Sequence, residues 1–520
     1  MLFNSFIFIF AFLPLSLLLT YGAGTWSQRA AKVSLLGLSL AFYAWWRLSQ
    51  LPLLIISIAF NYVVGEWIQR ARAADRPGQV RAILTLGVLA DVMFLGWFKY
   101  ANFVVDNINW GAASHIQLGR IALPLAISFF TFQKIAYLID TARGETRPVG
   151  VLDFSVFAAF YPQLIAGPIV HFTEVMPQLQ KPLFGKLVAQ NLMVGLVLFS
   201  IGLFKKTVIA DTLAIYVNPL YEAVRQGHGL SFISAWVAGI GYTFQLYFDF
   251  SGYSDMAIGL GRMFGVKLPL NFHSPLRAAS IIDYWRRWHM TLQRFVVAYI
   301  FQPLSLPLTR IAAAWSLSRW TGFLLDTGLP IFITFVILGL WHGAGWTFVL
   351  FGAAHGAYLA VNEAWRMYQA GRRRSLKRAG LPLPSSKPWD AVACHLITLV
   401  AVIYANVMFR AATPGDAARI WSSMTGFASG QTLAEEAFAR GLALVLAVAG
   451  GLVFLMPNSQ QIMGRFDPAL NWREWRDVAL PSVPWNWSPS PLGLVFAGVT
   501  LFLGVAFIER GQTVFLYFNF

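Results

Sequence analysis

Long runs without a charged residue divide this chain into segments that can lie inside a membrane. Nine runs of 18 to 36 residues contain no Asp, Glu, Lys or Arg; these are 1–28, 48–65, 154–173, 187–204, 226–248, 327–362, 391–409, 441–464 and 478–508. Shorter apolar windows lie near 33–46, 82–98, 121–139 and 295–309. A helix needs about 20 mostly apolar residues to cross a bilayer. The pattern therefore predicts an all-α polytopic membrane protein with about 11 to 13 membrane segments, some of them re-entrant.

The composition and the placement of the basic residues agree with this prediction. The chain is 57% hydrophobic and 12% charged, whereas roughly 25% of residues are charged in ordinary soluble domains. The net charge of +16 is concentrated in short connections between apolar runs, chiefly 70–81, 141–150 and 363–390. Basic connections face the cytoplasm and meet anionic lipids. We therefore expect both chain ends outside, contact with membrane lipids, and no nucleic-acid partner.

The segment 249–294 breaks the apolar pattern and predicts a helix at the membrane surface. Ser280 and Asp283 have the spacing of a capping pair, so we expect this helix to start at Ile281. One helix face would carry Trp285, Trp288, His289 and Leu292, and the other would carry Arg286, Arg287, Gln293 and Arg294. This amphipathic pattern is typical of an interfacial helix. It also allows a lipid-anchoring helix in which the histidine is merely packed.

His342 is the strongest candidate for chemistry because it lies in the longest charge-free run, 327–362. Glycines at 339, 343, 345 and 352 thin the backbone around it, and His355 follows in a similar setting. An ionisable side chain at membrane depth is costly and usually serves a function. A neutral imidazole can take a proton from a hydroxyl and so create a nucleophile. A structural histidine that bonds a neighbouring helix is the alternative. The sequence contains no G-x-S-x-G, P-loop or zinc-binding pattern.

Several stretches of the sequence carry a resemblance to a known family. They are "MLFNSFIFIFAFLPL" at the start, "FYAWWR" at 42–47, "FKYANF" at 98–103, "ISFFTFQKIAYLID" at 127–140, "YPQLIAGPIV" at 161–170, "QLYFDFSGYSDMAIGLG" at 245–261, "YWRRWHMTL" at 284–292 and "LWHGAGWTFVLFGAAHG" at 340–356. In these stretches the chain resembles the membrane-bound O-acyltransferase (MBOAT) family. The resemblance is to its bacterial branch that acylates polysaccharides, such as the membrane subunit of alginate O-acetylation.

The resemblance implies a funnel of helices through a thinned membrane, with the two signature histidines of the family inside it. His342 would be the catalytic base deep in the tunnel, and His289, also expected to be catalytic, would lie nearer the cytoplasmic mouth. We expect further tunnel residues among Asp249, Asp255, Trp341 and His355. No metal site is expected.

The resemblance also implies the substrates and partners. The acyl group, expected to be acetyl, would come from a cytoplasmic thioester, either acetyl-CoA or an acyl carrier protein, and no cofactor would stay bound. The charge and placement of Arg286, Arg287 and Arg294 indicate separately that they could attract this anionic donor. The acceptor would be an extracytoplasmic polysaccharide outside a bacterial inner membrane, with a periplasmic esterase-like partner. Alginate-type members usually carry a Gly- and Asn-rich turn after "WHMTL"; here "QRFVVAYIFQPLSLPLTR" follows, so the acceptor polymer stays open.

The last ten residues, "GQTVFLYFNF", carry a second resemblance. Their aromatic pattern is similar to the C-terminus of the small single-span partner in the teichoic-acid D-alanylation system. The matching residues are Phe515, Tyr517 and Phe520. The resemblance implies that Tyr517 carries the acyl group as a phenolic ester before its transfer outward. Interfacial anchoring by aromatic residues is the alternative.

The pattern divides the chain into three parts. A catalytic core spans 1–365, a basic cytoplasmic linker spans 366–390, and C-terminal membrane helices with the outward-facing tail span 391–520. The leading functional prediction is acyl transfer from a cytoplasmic thioester to hydroxyls of an extracytoplasmic polysaccharide. The alternatives are D-alanyl or other acyl transfer to a different envelope polymer, and a glycan or lipid transporter without enzymatic activity.

Overall fold

The computed structural model describes residues 1–112, 114–383, 385, 387–427, 436–508 and 516. Within these residues the protein consists of helices and connections, and an isolated β-bridge joins Pro269 to Leu470. The all-α class predicted from the sequence is therefore confirmed.

Twenty-three α-helices follow one another along the described chain. The first eight are α1 Leu13–Trp26, α2 Gln28–Ala44, α3 Leu51–Ala73, α4 Pro77–Ala112, α5 Ile127–Arg143, α6 Val151–Ala159, α7 Tyr161–Leu164 and α8 Phe172–Leu179. The next eight are α9 Ala189–Phe204, α10 Asp211–Arg225, α11 Phe232–Met263, α12 Ile281–Arg287, α13 Met290–Val296, α14 Gln302–Ala314, α15 Arg319–Phe323 and α16 Leu329–His342. The last seven are α17 Trp346–Arg378, α18 Pro388–Arg410, α19 Pro414–Met424, α20 Glu436–Phe454, α21 Ser459–Ile462, α22 Trp472–Trp475 and α23 Pro491–Ala506.

Short π-helical and 3₁₀ segments join or extend several of these helices. The π-helical segments are Phe8–Phe12, Lys205–Ala210, Val297–Phe301 and Leu324–Gly328. The 3₁₀ segments are Leu48–Gln50, Pro275–Arg277 and Gly464–Phe466.

Seven helical runs in the described residues are long and apolar enough to cross a membrane. They are Phe8–Trp26, Leu48–Ala73, Pro77–Ala112, Ala189–Arg225, Met290–Ala314, Arg319–His342 and Trp389–Arg410. The shorter apolar helices Gly441–Phe454 and Pro491–Ala506 accompany them. The long charge-free runs of the sequence account for five of these helices, and the shorter apolar windows near 82–98 and 295–309 account for Pro77–Ala112 and Met290–Ala314. The protein is a multi-pass membrane protein.

The helices α9 and α11 pack against each other through two pairs of glycines. A Cβ added to Gly195 would lie 2.5 Å from the carbonyl oxygen of Gly259, and one added to Gly202 would lie 2.6 Å from that of Gly252. The glycines are two turns apart on each helix, so they share one face. Small residues of this kind let two helix backbones approach closely in a membrane. The depth and rotation of α11 are therefore set by its backbone contact with α9.

The helices α16 and α17 form an equally close hairpin. A Cβ on Gly339 would lie 2.2 Å from the carbonyl oxygen of Phe348, and a Cβ on Gly352 would lie 2.2 Å from that of Phe335. Any larger residue at these two positions would force the helices apart. The hairpin turns at residues 343–345, so its apex directly follows His342.

The C-terminal helices pack directly on the preceding part of the chain. Thr207 Oγ1 donates a hydrogen bond of 2.7 Å to the carbonyl oxygen of Gly504 in α23. Leu470 donates its backbone N–H to the carbonyl oxygen of Leu268 at 2.9 Å. Helix α17 runs through residue 365, where the core was predicted to end, and stops at Arg378.

Candidate active site

His342 is the last residue of α16 and is buried at the apex of the hairpin. Its ring meets three aromatic rings edge-on, with centroid distances of 5.0 Å to Trp341, 5.8 Å to Phe351 and 5.2 Å to Phe409. Phe409 comes from α18, so the C-terminal part of the chain supplies one wall of the site. An apolar wall excludes water and strengthens the electrostatic interactions inside it.

The backbone at His342 is held by α4. Lys99 Nζ donates to the carbonyl oxygens of Trp341 and His342, the latter at 3.5 Å, and Tyr100 donates its hydroxyl to the carbonyl oxygen of Leu340 at 2.9 Å. The last carbonyls of a helix have no partner within it, and a lysine there also interacts favourably with the helix dipole. Helix α4 therefore fixes the end of α16. Lys99 and Tyr100 both lie in "FKYANF", but nothing in the sequence pattern points to this role.

A cavity of about 100 Å³ lies beside His342. Its lining includes Trp46, Lys99, Pro124, Trp341 and His342. Trp46 lies in the connection between α2 and α3, and Pro124 lies in the connection between α4 and α5. Helix α3 crosses the bundle and α4 crosses it back, so these two connections lie at the same end. The basic connections 70–81 and 141–150 lie at the other end. Under the positive-inside pattern, the cavity is therefore on the predicted outer side.

His289 lies at a break between α12 and α13 and is completely buried. Its backbone φ is 44°, in the left-handed region that costs a non-glycine residue about 1–3 kcal/mol. The predicted cap is present, since Ser280 Oγ accepts the backbone N–H of Asp283 at 3.1 Å. The prediction of one continuous amphipathic helix is wrong, because α12 ends at Arg287.

Tertiary hydrogen bonds explain this break. The backbone N–H of Met290 donates to the carbonyl oxygen of Asn271 at 2.9 Å, and that of His273 donates to the carbonyl oxygen of Arg287 at 3.0 Å. These bonds replace helical ones, so the backbone can turn at His289. The residues predicted for the buried face, Trp285, Trp288 and Leu292, are nevertheless buried.

Asn271 orients the ring of His289. Its Oδ1 lies 3.0 Å from His289 Nδ1, and because an amide oxygen only accepts, we assign the proton to Nδ1. Nε2 is then the basic atom of the neutral ring. Asn271 is itself fixed, because its Nδ2 donates to Ser254 Oγ at 3.0 Å and its Oδ1 accepts from Thr291 Oγ1 at 2.9 Å. No pattern in the sequence predicted that Asn271 would orient His289.

The C-terminal segment holds the loop that carries Asn271. His273 Nε2 lies 2.8 Å from the carbonyl oxygen of Val478. Burial lowers the pKa of His273 to about 4, because the protonated ring would lose its hydration. The neutral ring therefore donates its Nε2–H to Val478 and ties the loop to the segment after α22.

Trp341 lies between the two signature histidines. Its ring centroid is 6.1 Å from that of His289 and 5.0 Å from that of His342. The fold thus brings together two histidines that are more than fifty residues apart in the sequence. His355 has a different setting, because its Nδ1 accepts a hydrogen bond of 3.1 Å from Trp285 Nε1. That bond joins α17 to α12.

The two aspartates predicted as tunnel residues form buried ion pairs. Asp249 Oδ1 lies 2.6 Å from Lys206 Nζ, and the same ammonium lies 2.7 Å from Asp211 Oδ1. Asp255 Oδ2 lies 2.8 Å from Lys205 Nζ. Both lysines lie in the π-helical turn between α9 and α10, and such turns are frequent at functional sites. The lysines directly follow a charge-free run, so the sequence locates them but does not pair them.

The predicted tail residues Phe515, Tyr517 and Phe520 lie outside the described residues. Leu516 is described, and its side chain is partly buried against the core. Its backbone N–H donates a hydrogen bond of 3.2 Å to Asp249 Oδ2. One point of the tail therefore lies at the Asp249–Lys206 ion pair.

The three arginines predicted to attract the donor differ in their surroundings. Arg287 forms an ion pair of 2.7 Å with Asp283, and Arg294 forms one of 2.6 Å with Glu174. Arg286 is exposed. Ion pairing offsets much of the positive charge of Arg287 and Arg294, so Arg286 would attract an anion more strongly than either of them.

The site offers acid–base chemistry by side chains. The buried imidazoles of His289 and His342 flank Trp341. The proton of His289 is assigned to Nδ1, and the cavity borders His342. Proton transfer by histidine is the reaction that such groups support. In the part of the chain that the structure describes, no group of three or more His, Cys, Asp or Glu could hold a metal ion.

The family of the chain follows from comparison with known proteins. Residues 81–379 match the family model "MBOAT, membrane-bound O-acyltransferase family". This range includes both signature histidines, Lys99 and Asn271. The chain belongs to the MBOAT family and is an O-acyltransferase, as the resemblance predicted.

Two groups of relatives are similar to the chain over different lengths. A peptidoglycan O-acetyltransferase of Helicobacter pylori is 38% identical over 454 residues, which cover 82% of this chain and 80% of that protein. A probable alginate O-acetylase of Pseudomonas aeruginosa is 37% identical over 436 residues, covering 83% and 76%. A teichoic acid D-alanyltransferase of Streptococcus thermophilus is 27% identical over 288 residues, covering 55% and 68%. The similarity to the O-acetyltransferases is therefore higher and extends further.

Proposed function

We propose that this protein transfers an acetyl group from a cytoplasmic thioester to hydroxyls of an extracytoplasmic polysaccharide, with His342 as the catalytic base. The observation that carries the proposal is the position of His342, which is buried at a helix end and borders a cavity on the predicted outer side. The relatives named as peptidoglycan and alginate O-acetylating enzymes support a polysaccharide acceptor and an acetyl group.

The proposed reaction uses one proton transfer in each direction. His342 takes the proton of a hydroxyl while that oxygen forms a bond to the thioester carbonyl carbon. The carbon–sulfur bond then breaks, and the proton returns from His342 to the departing sulfur. The products are an ester and a thiol. Lys99 positions His342 through the backbone, and His289, oriented by Asn271, lies on the other side of Trp341.

The proposed donor is acetyl-CoA or an acyl carrier protein that approaches from the basic end of the bundle. Under the positive-inside pattern this end faces the cytoplasm of a bacterium, and both chain ends face outward from its inner membrane. Arg286 is exposed and would attract the anionic donor. The donor is consumed as a substrate, so no bound cofactor is needed.

We further propose that Tyr517 relays the acyl group outward. The hydrogen bond from Leu516 to Asp249 supports this step, because it brings the neighbouring residue of Tyr517 to α11, the helix whose Phe250 ring lies 4.7 Å from that of His289. His342 would first deprotonate Tyr517, which would take the acyl group from the thioester. A phenolic ester is a better leaving group than an alkyl ester, so the group could then pass to a periplasmic esterase-like partner or to the glycan.

The variant His342→Gln tests the proposed base. Acetylation of surface glycans, measured by mass spectrometry in cells that produce the variant, should fall to the level of cells without the gene. Membrane levels of the protein, measured by immunoblotting, should stay normal. The matched control is His395→Gln, since His395 lies in α18 and bonds the carbonyl oxygen of Ala278 at 3.1 Å. Full acetylation by His342→Gln would contradict the role of His342 as the catalytic base.

The variant Tyr517→Phe tests the relay separately. It should abolish glycan acetylation but leave His342 able to act, and the wild type should yield a peptide with an acetyl ester on Tyr517 after rapid quenching. Tyr368→Phe, at an exposed tyrosine of α17, is the control. Normal acetylation by Tyr517→Phe would remove the relay and leave the His342 proposal standing. A D-alanyl ester on the glycan or the peptide would instead identify the alternative acyl group.

A further inference from the structure

A second and larger cavity lies at the same end of the bundle as His342. It has a volume of about 710 Å³ and lies between α10, α18 and α19. Arg410, which ends α18, lines this cavity, and the preceding residue, Phe409, contacts the ring of His342 with a centroid distance of 5.2 Å. The cavity is therefore adjacent to the candidate active site.

The carboxylates that line this cavity are already paired with cations. Asp211 lies 2.7 Å from Lys206 Nζ. Glu222 lies 2.6 Å from Arg225, and Asp416 lies 2.5 Å from Arg419. These pairs offset the negative charges, so the cavity does not repel an anion as strongly as its three acidic residues suggest.

Arg410 differs from these residues because it forms no ion pair with any described carboxylate. Its Nη2 donates to Asn218 Oδ1 at 3.1 Å, and its guanidinium lies over the rings of Tyr221 and Tyr242, at 5.2 Å and 6.0 Å from their centroids. Its Nε–H is buried and meets no acceptor among the described residues. A buried guanidinium donor without an acceptor is costly, and two aromatic faces replace only part of its hydration.

The two tyrosines beside Arg410 also carry buried polar atoms that have no hydrogen-bond partner among the described residues. Tyr221 is 5% exposed and Tyr242 is 0% exposed, and neither hydroxyl has a hydrogen-bond partner among the described residues. Tyr221 also lines the cavity. The Arg410 guanidinium and the Tyr221 hydroxyl therefore form a built set of donors at one wall, and a planar guanidinium fork suits an oxyanion, either a carboxylate or a phosphate.

We propose that this cavity is an acceptor subsite in which Arg410 binds a carboxylate carried by the acceptor glycan. The inference rests on the proposed function. The volume suits a sugar unit, and Asn218 and the paired acidic side chains offer hydrogen-bonding groups to its hydroxyls.

The surroundings favour the glycan over a lipid headgroup as the source of the oxyanion. On one side, Phe409 connects the cavity to His342. On the other, Asp211 is linked through Lys206 and Asp249 to Leu516, the residue before Tyr517. An acceptor bound here would lie between Phe409, which contacts His342, and the ion pairs that reach Leu516.

The test compares two acceptor oligosaccharides of equal length, one with carboxylates and one with its carboxyl groups reduced to alcohols. The full-length protein in lipid nanodiscs should have the lower KM for the carboxylated acceptor. Arg410→Gln should raise that KM roughly 10- to 100-fold, the value of a charge-assisted hydrogen bond, with kcat and the reduced acceptor little changed. Tyr221→Phe should raise it less, and Arg366→Gln, at an exposed arginine of α17, should not raise it.

Each other outcome overturns the inference in a recognisable way. Equal KM values of the wild type for the two acceptors would remove the subsite but leave the proposed function intact. An equal effect of Arg410→Gln on both acceptors would assign the arginine a structural role. An effect that appears with phosphatidylglycerol and vanishes with phosphatidylcholine would make the oxyanion a lipid phosphate. Acetylation of neither acceptor by the wild type would show that a separate partner completes the transfer and would remove the subsite from this chain, whereas a wild type that releases no thiol from acetyl-CoA would contradict the proposed function itself. If Arg410→Gln does not accumulate, Tyr221→Phe and Arg410→Lys decide the question.

Discussion

His342 and His289 are buried on opposite sides of Trp341. The contacts that position them differ, because those of His342 are made to its backbone and that of His289 is made to its ring. His342 is held through its backbone, by the donors of Lys99 and Tyr100 at the end of α16, while aromatic rings surround its imidazole. His289 is held through its ring, by Asn271, and its backbone turns in the left-handed region. The bonds from Lys99 and Tyr100 reach backbone carbonyls, so they do not depend on the protonation of the His342 ring. A ring held at Nδ1 has one fixed basic atom. The comparison shows that α4 determines where His342 lies, whereas one side chain, Asn271, determines how the His289 ring is oriented.

The largest effect should come from deleting each ring. His342→Gly should lower turnover by about 10²–10⁴-fold, the usual contribution of a general base. Added imidazole should restore part of this activity, because the cavity of about 100 Å³ reaches the site. His289→Gly should not be restored, since its ring is 0% exposed and its orientation depends on Asn271. Rates measured with and without imidazole check this, and equal rescue of both variants would break the comparison.

Substitution of Asn271 should have the next largest effect on turnover. Asn271→Leu removes the acceptor for His289 Nδ1 and leaves several buried polar groups unpaired, which costs about 1–3 kcal/mol, or roughly 10- to 100-fold in turnover. Asn271→Asp keeps an acceptor at this position and should lose less. Steady-state kinetics of the two variants provide the measurement. Identical losses would argue that Asn271 acts only by packing.

Lys99 tests the other half of the comparison. Lys99→Met removes the donor at the last carbonyls of α16 and should lower kcat roughly 10-fold with the donor KM unchanged, because His342 is displaced while the donor's path is not. Lys99→Arg should recover much of kcat, since it can still donate to carbonyl oxygens. The matched control is Lys377→Met, at an exposed lysine of α17. A higher donor KM with normal kcat would instead assign Lys99 to substrate binding.

The smallest effect should separate His355 from the two signature histidines. Trp285→Phe removes the hydrogen bond from Trp285 Nε1 to His355 and should destabilise the protein by about 0.5–1.5 kcal/mol, the net value of one hydrogen bond. Thermal unfolding in detergent should detect the change, while turnover should stay within about twofold of the wild type. A large loss of turnover at normal stability would place His355 in the chemistry after all.

The helix break at His289 marks the limit of prediction from local pattern. The capping pair and the buried faces of Trp285 and Leu292 followed from the spacing of residues, and both are confirmed. The left-handed turn did not follow, because it depends on hydrogen bonds to the loop around Asn271, some eighteen residues earlier in the sequence. The periodicity of apolar residues describes one segment of the chain and cannot reveal hydrogen bonds between that segment and another.

The class of this protein follows from its amino-acid sequence alone. Long charge-free runs require membrane helices, since charged side chains are costly in hydrocarbon, and rare motifs around His289 and His342 define the family. Which side chains contact one another follows from the tertiary structure and not from the sequence pattern. Lys99 reaches α16, Asn271 reaches His289, and Asp249 reaches Lys206 and Leu516 across the bundle. The physical reason is that each of these contacts depends on how closely the helices pack, which glycine pairs such as Gly195 with Gly259 set through the backbone.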